Sequence, residues 1–184
     1  MIGDEQFGES CLIDPSHSVQ KITSLLKNKK AKALYILLTH GHLNHAARAQ
    51  ELRILYQTKI YAHKNELPHL QRLFSLGDQA GLCGVKTPII DKLICQGDTI
   101  TLGSNQIEVI ETPGHTLGSL SFRLGNAFFV GDLCQENGLY LKDSPSNLAL
   151  QKKSLKQLLK LTSSADIVYP GHGPTFSACR LSDF

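Results

Sequence analysis

The sequence has few cysteines and no two of them spaced as CxxC. An odd number of widely separated cysteines argues against a disulfide framework and against a cysteine-ligated zinc knuckle, and it favours a reducing compartment. The five residues concerned are Cys11, Cys83, Cys95, Cys134 and Cys179. Long apolar runs are also missing, since none approaches the roughly 20 residues that span a bilayer. The opening MIGDEQFGES lacks the basic start and apolar core of an export signal. We therefore expect a cytoplasmic protein without a membrane partner.

A strong excess of either charge is absent too. The 19 basic and 16 acidic residues leave a net charge of +3, and the lysines are scattered or lie on helical faces such as QKKSLKQLLK. This distribution predicts no nucleic-acid partner. The length of 184 residues, with 41% hydrophobic and 19% charged residues, fits one globular domain spanning residues 1–184.

Short strand-like runs alternate with amphipathic stretches along the first half of the chain, which predicts a layered domain of mixed strands and helices. Strands are predicted at 11–14, 33–40 and 59–63, helices at 17–28, 45–57 and 66–76, and a loop region at 77–97. After residue 98, four strand-like runs separated by GSN, PGHTLG and GN predict an antiparallel meander. A helix over 147–162, with Leu148, Leu155, Leu159 and Thr162 on its apolar face, and a last strand in DIVYPGHGP follow.

Five of the eight histidines lie where a strand ends or in a loop with glycine or proline, where functional side chains are often displayed. They are His40, His42 and His45 in LTHGHLNHA, His115 in ETPGHTLGS, and His172 in YPGHG. Asp132 likewise ends the apolar strand FFVGD. Each motif alone also fits a surface histidine or an ordinary turn, but together they supply the ligands of hydrolytic zinc or non-haem iron sites. His17, His63 and His69 have no such context, and we interpret them as surface or packing residues.

The motifs LTHGHLNHA, TPGHTLGS, VGD and PGHG, in this order, resemble the metallo-β-lactamase superfamily, particularly its glyoxalase II-like hydrolases and small stand-alone members. The resemblance covers about residues 11–174. It implies an α+β fold, a four-layer αβ/βα sandwich with a metal site at one edge. Carried over to this sequence, it implies a first metal held by His40, His42 and His115. It implies a second metal held by the residue at the Asn44 position, by His45 and by His172, with Asp132 bridging the two metals.

Asn44 departs from the family pattern, which has an aspartate at this position. A neutral amide is a weaker ligand than a carboxylate and cannot accept a proton. We therefore expect a weakened second site, with one metal favoured over two. Because Asn44 precedes the run HAARAQELRILYQ, we also expect it to be the N-cap of a helix there.

The implied activity is hydrolysis of a thioester, ester or lactam bond in a small molecule by a hydroxide bound to one or two zinc ions. Asn44 would be at this catalytic site without acting as a base, which leaves Asp132 as the general base. A second interpretation takes His40, His115 and Asp132 as ligands of a single Fe(II), as in the persulfide dioxygenases of the same superfamily. A third is a degenerate, non-catalytic sandwich used for binding. Tyr140 and Lys142 are candidate substrate contacts or ordinary loop residues, and Cys134 is interpreted as a packed thiol.

The family resemblance also implies a strand before the segment GESCLIDP, which only MIGDEQF precedes here. We therefore expect one sheet to lack its N-terminal edge strand or to receive it from a partner. Such an open edge is a template for pairing with another chain, so a homodimer is predicted. After PGHG few residues remain, and we expect no C-terminal helical domain of the kind that glyoxalase II enzymes use for glutathione.

Overall fold

The structure, a computed structural model, describes residues 1–16, 18–142 and 147–184. The chain divides into two compact units. The first consists of Met1–Ile94 and Thr101–Gln106, and the second of Cys95–Ile100 and Ile107–Phe184. The single domain expected over residues 1–184 stays a prediction. Among the described residues, no helix has the length and apolar composition needed to cross a bilayer.

A five-stranded sheet with helices forms the first unit. Its strands follow the order β1-β2-β3-β4-β5, in which β1 is antiparallel to β2 and the others are parallel. The strands are β1 (Ile2–Asp4), β2 (Glu9–Ile13), β3 (Lys32–Leu37), β4 (Lys59–Ala62) and β5 (Lys92–Leu93). The helices are α1 (Val19–Asn28), α2 (Leu43–Ala46), α3 (Ala49–Tyr56), α4 (Leu67–Gln71) and α5 (Leu73–Gln79), with a 3-10 turn at Lys64–Glu66. The predicted strands and the helix over 17–28 are present with shifted boundaries, whereas the predicted helices over 45–57 and 66–76 are each divided into two, and the predicted loop region 77–97 contains β5.

The expectation of a missing edge strand is wrong. Strand β1, Ile2–Asp4, pairs with β2 through Ile2 opposite Cys11 and Asp4 opposite Glu9. Three residues without strong alternation of apolar and polar side chains give too weak a pattern to identify a strand from sequence. The homodimer stays a prediction, but without the argument from an uncovered edge.

Asp4 fixes the end of β1. Its Oδ2 accepts hydrogen bonds from the Ser104 backbone N–H at 2.9 Å, the Ser104 hydroxyl at 2.7 Å and the Asn105 side-chain amide at 2.8 Å. Its Oδ1 accepts from the backbone N–H of Gln6 at 3.0 Å. These donors, the Ser104 hydroxyl first, hold the pKa of the Asp4 carboxyl below its usual value.

We expect the stability of the protein to depend on the ionisation of Asp4. Because the folded-state pKa is lowered, the stabilisation is complete above the unfolded value of about 3.9 and is lost as pH falls through the lower folded value. Denaturant unfolding between pH 6 and 2.5, as an order-of-magnitude window around these values, should show a shallower acid loss for Asp4→Asn than for the parent. Glu5→Gln, at an exposed neighbour, is the control, and identical acid slopes for Asp4→Asn and the parent would contradict this role.

The second unit contains most of a six-stranded sheet in the order β13-β12-β9-β8-β7-β6. The meander predicted after residue 98 is confirmed for β7, β8 and β9, which are antiparallel neighbours. The strands are β6 (Thr99–Leu102), β7 (Asn105–Glu111), β8 (Leu120–Leu124), β9 (Ala127–Gly131), β12 (Ile167–Pro170) and β13 (Phe176–Ser177). A separate hairpin, β10 (Cys134–Gln135) and β11 (Gly138–Leu139), follows β9. The chain ends in a 3-10 turn at Ala178–Asp183.

Helix α6 (Leu148–Leu159) packs on this sheet with a face that overlaps only in part the one predicted from the leucines, since Leu155 is buried and Leu159 is half-buried against the core. Leu148 is exposed, whereas Gln151, Ser154, Leu155 and Leu158 are buried. These four follow the helical spacing i, i+3, i+4, i+7. A search for apolar periodicity misses this stripe because two of its members are polar and are buried through hydrogen bonds.

Candidate metal centre

The three histidines of LTHGHLNHA lie together in the first unit, just beyond the end of β3. The ring of His40 is 4.6 Å from that of His42 and 4.1 Å from that of His45, measured between centroids. His40 and His45 are buried and His42 is half-buried. Neutral imidazole is the commonest metal ligand of proteins, so the cluster has the donor chemistry that the sequence predicts.

Asp14 orients two of these histidines. It follows β2, whose end lies beside the end of β3, and has a left-handed backbone with φ of 47°. Its Oδ2 lies 2.8 Å from His45 Nδ1 and accepts a hydrogen bond of 2.5 Å from the Thr39 hydroxyl. That hydroxyl is 3.1 Å from His40 Nδ1. A carboxylate bonded to one ring nitrogen fixes the ring and leaves Nε2 for a metal.

Asp14, His40 and His45 could also be read as ligands themselves, since each offers one ligand atom within 4.8 Å of the other two. Both Asp14 oxygens, however, accept hydrogen bonds, Oδ1 from the Thr39 backbone N–H at 2.8 Å. We therefore assign Asp14 an orienting role. Sequence analysis missed it, although its place at the carboxyl end of a strand was the same signal that singled out Asp132.

Gly41 separates the two histidines of the HGH motif and is held by a buried carboxylate. Its backbone N–H donates to Glu66 Oε2 at 2.6 Å, and Glu66 is fully buried. A Cβ at position 41 would lie 2.7 Å from the Cβ of His69, closer than side chains approach. Any larger residue would displace this loop, so the close packing requires glycine between His40 and His42.

The remaining histidines have structural contacts where the structure describes them. The ring of His69 meets that of His42 edge-on at 5.4 Å, and His63 accepts a hydrogen bond from the Asn65 backbone N–H. Both agree with the packing interpretation. His17 lies outside the described residues.

Asn44 is not a helix N-cap, which corrects the sequence prediction. The run HAARAQELRILYQ forms two helices, α2 and α3, and Asn44 lies inside α2 with its side chain exposed. The cap position belongs to His42, whose carbonyl accepts hydrogen bonds from the N–H groups of His45 and Ala46 at 3.0 Å. No capping energy therefore explains an asparagine at position 44.

The second unit brings His115, Asp132 and His172 together. Asp132 follows β9 and His172 follows β12, and these strands are parallel with Gly131 opposite Pro170. Their carboxyl ends therefore meet at one edge of the sheet. His115 lies in the loop between β7 and β8. His115 Nε2 is 3.5 Å and His172 Nε2 is 3.6 Å from the same atom, Asp132 Oδ2.

These distances suit a metal better than direct hydrogen bonds, whose donors and acceptors lie about 2.7–3.2 Å apart. Two ligands of a tetrahedral ion, each roughly 2.0–2.1 Å from the metal, are roughly 3.3 Å from one another. One carboxylate oxygen close to two imidazole nitrogens is also the arrangement expected of a bridging ligand. The residues of this unit thus fit the implied metal, and the side chains of His115 and Asp132 are fully buried.

The loop residues considered at the sequence level differ in exposure. Tyr140 is buried, with 6% of its surface exposed, whereas Lys142 is exposed. Cys134 is buried, and burial raises the pKa of its thiol to about 12. This agrees with its interpretation as a packed thiol, because the reactive thiolate is scarce at neutral pH.

Comparison with known proteins identifies the family. The family model of the metallo-β-lactamase superfamily matches residues 6–172. The chain belongs to this superfamily. The resemblance drawn from the motifs and the α+β fold of the metallo-β-lactamase type are both confirmed. The ligand assignments within that fold stay predictions.

Relatives within the superfamily bear different names and metals. The chain is 32% identical over 180 residues to "Probable metallo-hydrolase YqgX" of Bacillus subtilis, covering 95% of this chain and 83% of that protein. It is 26% identical to "Probable polyketide biosynthesis zinc-dependent hydrolase PksB" of the same species, covering 88% and 66%. The crystal structure of TTHA1623 in a di-iron-bound form is 27% identical, covers 92% and 84%, and superposes with a TM-score of 0.80.

Proposed function

We propose that the chain is a metal-dependent hydrolase whose ligands are those that the family resemblance implies, the five motif histidines and Asp132. The observation that carries the proposal is the approach of two imidazole nitrogens, His115 Nε2 and His172 Nε2, to Asp132 Oδ2 at 3.5 and 3.6 Å. The histidines of LTHGHLNHA add three further donors. The names of YqgX and PksB, both hydrolases, support the reaction class.

When bound, a zinc or iron ion supplies a water molecule acidic enough to ionise near neutral pH and polarises the carbonyl of the substrate. Residues of the chain orient the ligands and accept the proton. Asp14 holds Nδ1 of His45, and Glu66 holds the loop between His40 and His42. Asn44 cannot accept a proton, so Asp132 would be the carboxylate that accepts the proton of the attacking water. The substrate class is a small molecule with a thioester, ester or lactam bond.

The charge of the site favours one tightly held metal. Two divalent ions roughly 3.5–4 Å apart need anionic ligands around them, and Asp132 is the only carboxylate among the proposed ligands. Asn44 provides a neutral oxygen where the family has a second carboxylate. The second site therefore binds its ion weakly.

Elemental analysis of protein purified without added metal, after dialysis, tests the proposal. We expect close to one equivalent per chain. Two equivalents that survive dialysis would contradict the weakened second site, and no metal, with none taken up from added zinc, would contradict the function altogether. A metal-free protein that keeps its fold would favour the non-catalytic binding alternative.

The identity of the metal distinguishes the enzymatic alternatives. The structure of TTHA1623, a relative of 27% identity, is in a di-iron-bound form, so iron is a candidate metal here and the mononuclear Fe(II) dioxygenase stays a second candidate. Iron at one equivalent, with oxygen consumed in the presence of a small-molecule persulfide, would support that candidate. Zinc, with hydrolysis of a thioester and no oxygen uptake, supports the hydrolase.

A further inference from the structure

Gln151 of α6 connects the two ends of the segment that follows Asp132. This fully buried side chain donates from its amide nitrogen to the carbonyls of Leu133 and Tyr140 at 2.8 Å each and to the carbonyl of Asp132 at 3.2 Å. Between these carbonyls the chain folds back as the hairpin of β10 and β11. Because a buried carbonyl without a donor is destabilising, Gln151 holds the hairpin closed and fixes the position of Tyr140.

The same face of α6 also holds the turn that carries His115. A Cβ at Gly114 would lie 2.4 Å from the Cα of Gln151. The Asn147 backbone N–H donates to the Gly114 carbonyl at 2.8 Å, and the Ser154 hydroxyl donates to the Pro113 carbonyl at 2.6 Å. One helix therefore sets both the PGH turn and the hairpin, which explains the polar residues on its buried stripe.

Tyr140 lies where these two segments meet. Its ring stacks on that of His172, with centroids 4.8 Å apart and planes 16° from parallel. The ring of His115 meets it edge-on at 5.8 Å. Imidazole rings rotate within a broad range about χ2 unless a neighbour restricts them. The phenol ring restricts the two histidines whose Nε2 atoms approach Asp132 Oδ2.

We propose that Tyr140, anchored by Gln151, is a positioning residue that fixes the rings of His172 and His115 for metal binding. The inference rests on the proposed metal centre and extends it to residues outside the ligand motifs. It assigns the aromatic ring of Tyr140 the decisive role, because the ring contacts with His172 and His115 restrict the orientation of these imidazoles. It also replaces the earlier hypothesis of Tyr140 as a substrate contact.

Titration of the metal-free protein with Co²⁺, followed by its visible absorption spectrum, tests this role without any enzyme assay. Tyr140→Phe keeps the ring and should bind Co²⁺ with the parent's affinity and spectrum. Tyr140→Leu should lose about 10–100-fold in affinity, the usual effect of removing a partner that orients a ligand, and its absorption bands should shift. Gln151→Met, which removes the amide donor but keeps a side chain of similar length, should also lower the affinity for Co²⁺.

Leu159→Ala is the control for lost stability alone, since this half-buried residue packs in the same core without belonging to the hairpin, and it should keep the parent's Co²⁺ affinity. Thermal unfolding of all the metal-free variants measures the purely structural effect. If Tyr140→Leu is less stable but keeps the parent's Co²⁺ affinity and spectrum, or if Tyr140→Phe is as impaired as Tyr140→Leu, the positioning role is wrong. Should Tyr140→Leu not fold, an unchanged Co²⁺ spectrum and affinity in Gln151→Met would overturn it. A parent protein that binds no Co²⁺ would instead refute the proposed metal centre itself.

Discussion

His115→Ala is expected to lose its metal while the protein remains folded. The imidazole is one of the two that approach Asp132 Oδ2, and its side chain is fully buried. Removing a ligand should lower affinity by more than the roughly 10–100-fold effect of losing an orienting partner. Elemental analysis after dialysis should therefore find far less metal than in the parent.

The fold should persist because the hydrophobic core of the second unit is built from apolar residues that do not depend on a metal, unlike the core of a zinc finger. Circular dichroism and thermal unfolding check this point. His17→Ala serves as the control, since His17 belongs to none of the four motifs. Equal metal content in the two variants would refute the assignment of His115 as a ligand.

Asn44→Asp is expected to strengthen the second metal site. The substitution restores the carboxylate of the family pattern and adds one negative charge beside two divalent ions. We expect at least about a tenfold gain in affinity for the second metal, equivalent to about 1.4 kcal/mol. Isothermal titration of the metal-free protein with zinc should resolve a second binding event that is tighter than in the parent.

A charge control separates coordination from a general electrostatic effect. Asn28→Asp changes the net charge by the same amount at the exposed end of α1, away from all motifs. It should leave both binding events unchanged. Identical titrations for the Asn44→Asp variant and the parent would show that position 44 takes no part in metal binding.

The sequence by itself determined the type of fold and which residues are candidate ligands. Alternating apolar patterns and turn residues between residues 99 and 132 were enough to predict the antiparallel meander, because strand periodicity and hairpin turns are local properties. His115, Asp132 and His172 were found for a similar reason, since each stands where a strand ends. The order of the four motifs was enough to recognise the resemblance to the metallo-β-lactamase superfamily.

Only the tertiary structure decided which residues support these ligands. Glu66 and Gln151 are buried and Asp14 is half-buried. Their hydrogen-bond partners lie 11 to 31 positions away in the chain, and no local pattern reveals such partners. Asn44 was misjudged as an N-cap because α2 begins at Leu43, two residues before the predicted start of the helix at His45. Strand β1 was missed because three residues have too little periodicity to be recognised without the neighbour that pairs with them. Long-range contacts, which the order of residues along the chain does not display, fixed the geometry of the ligands.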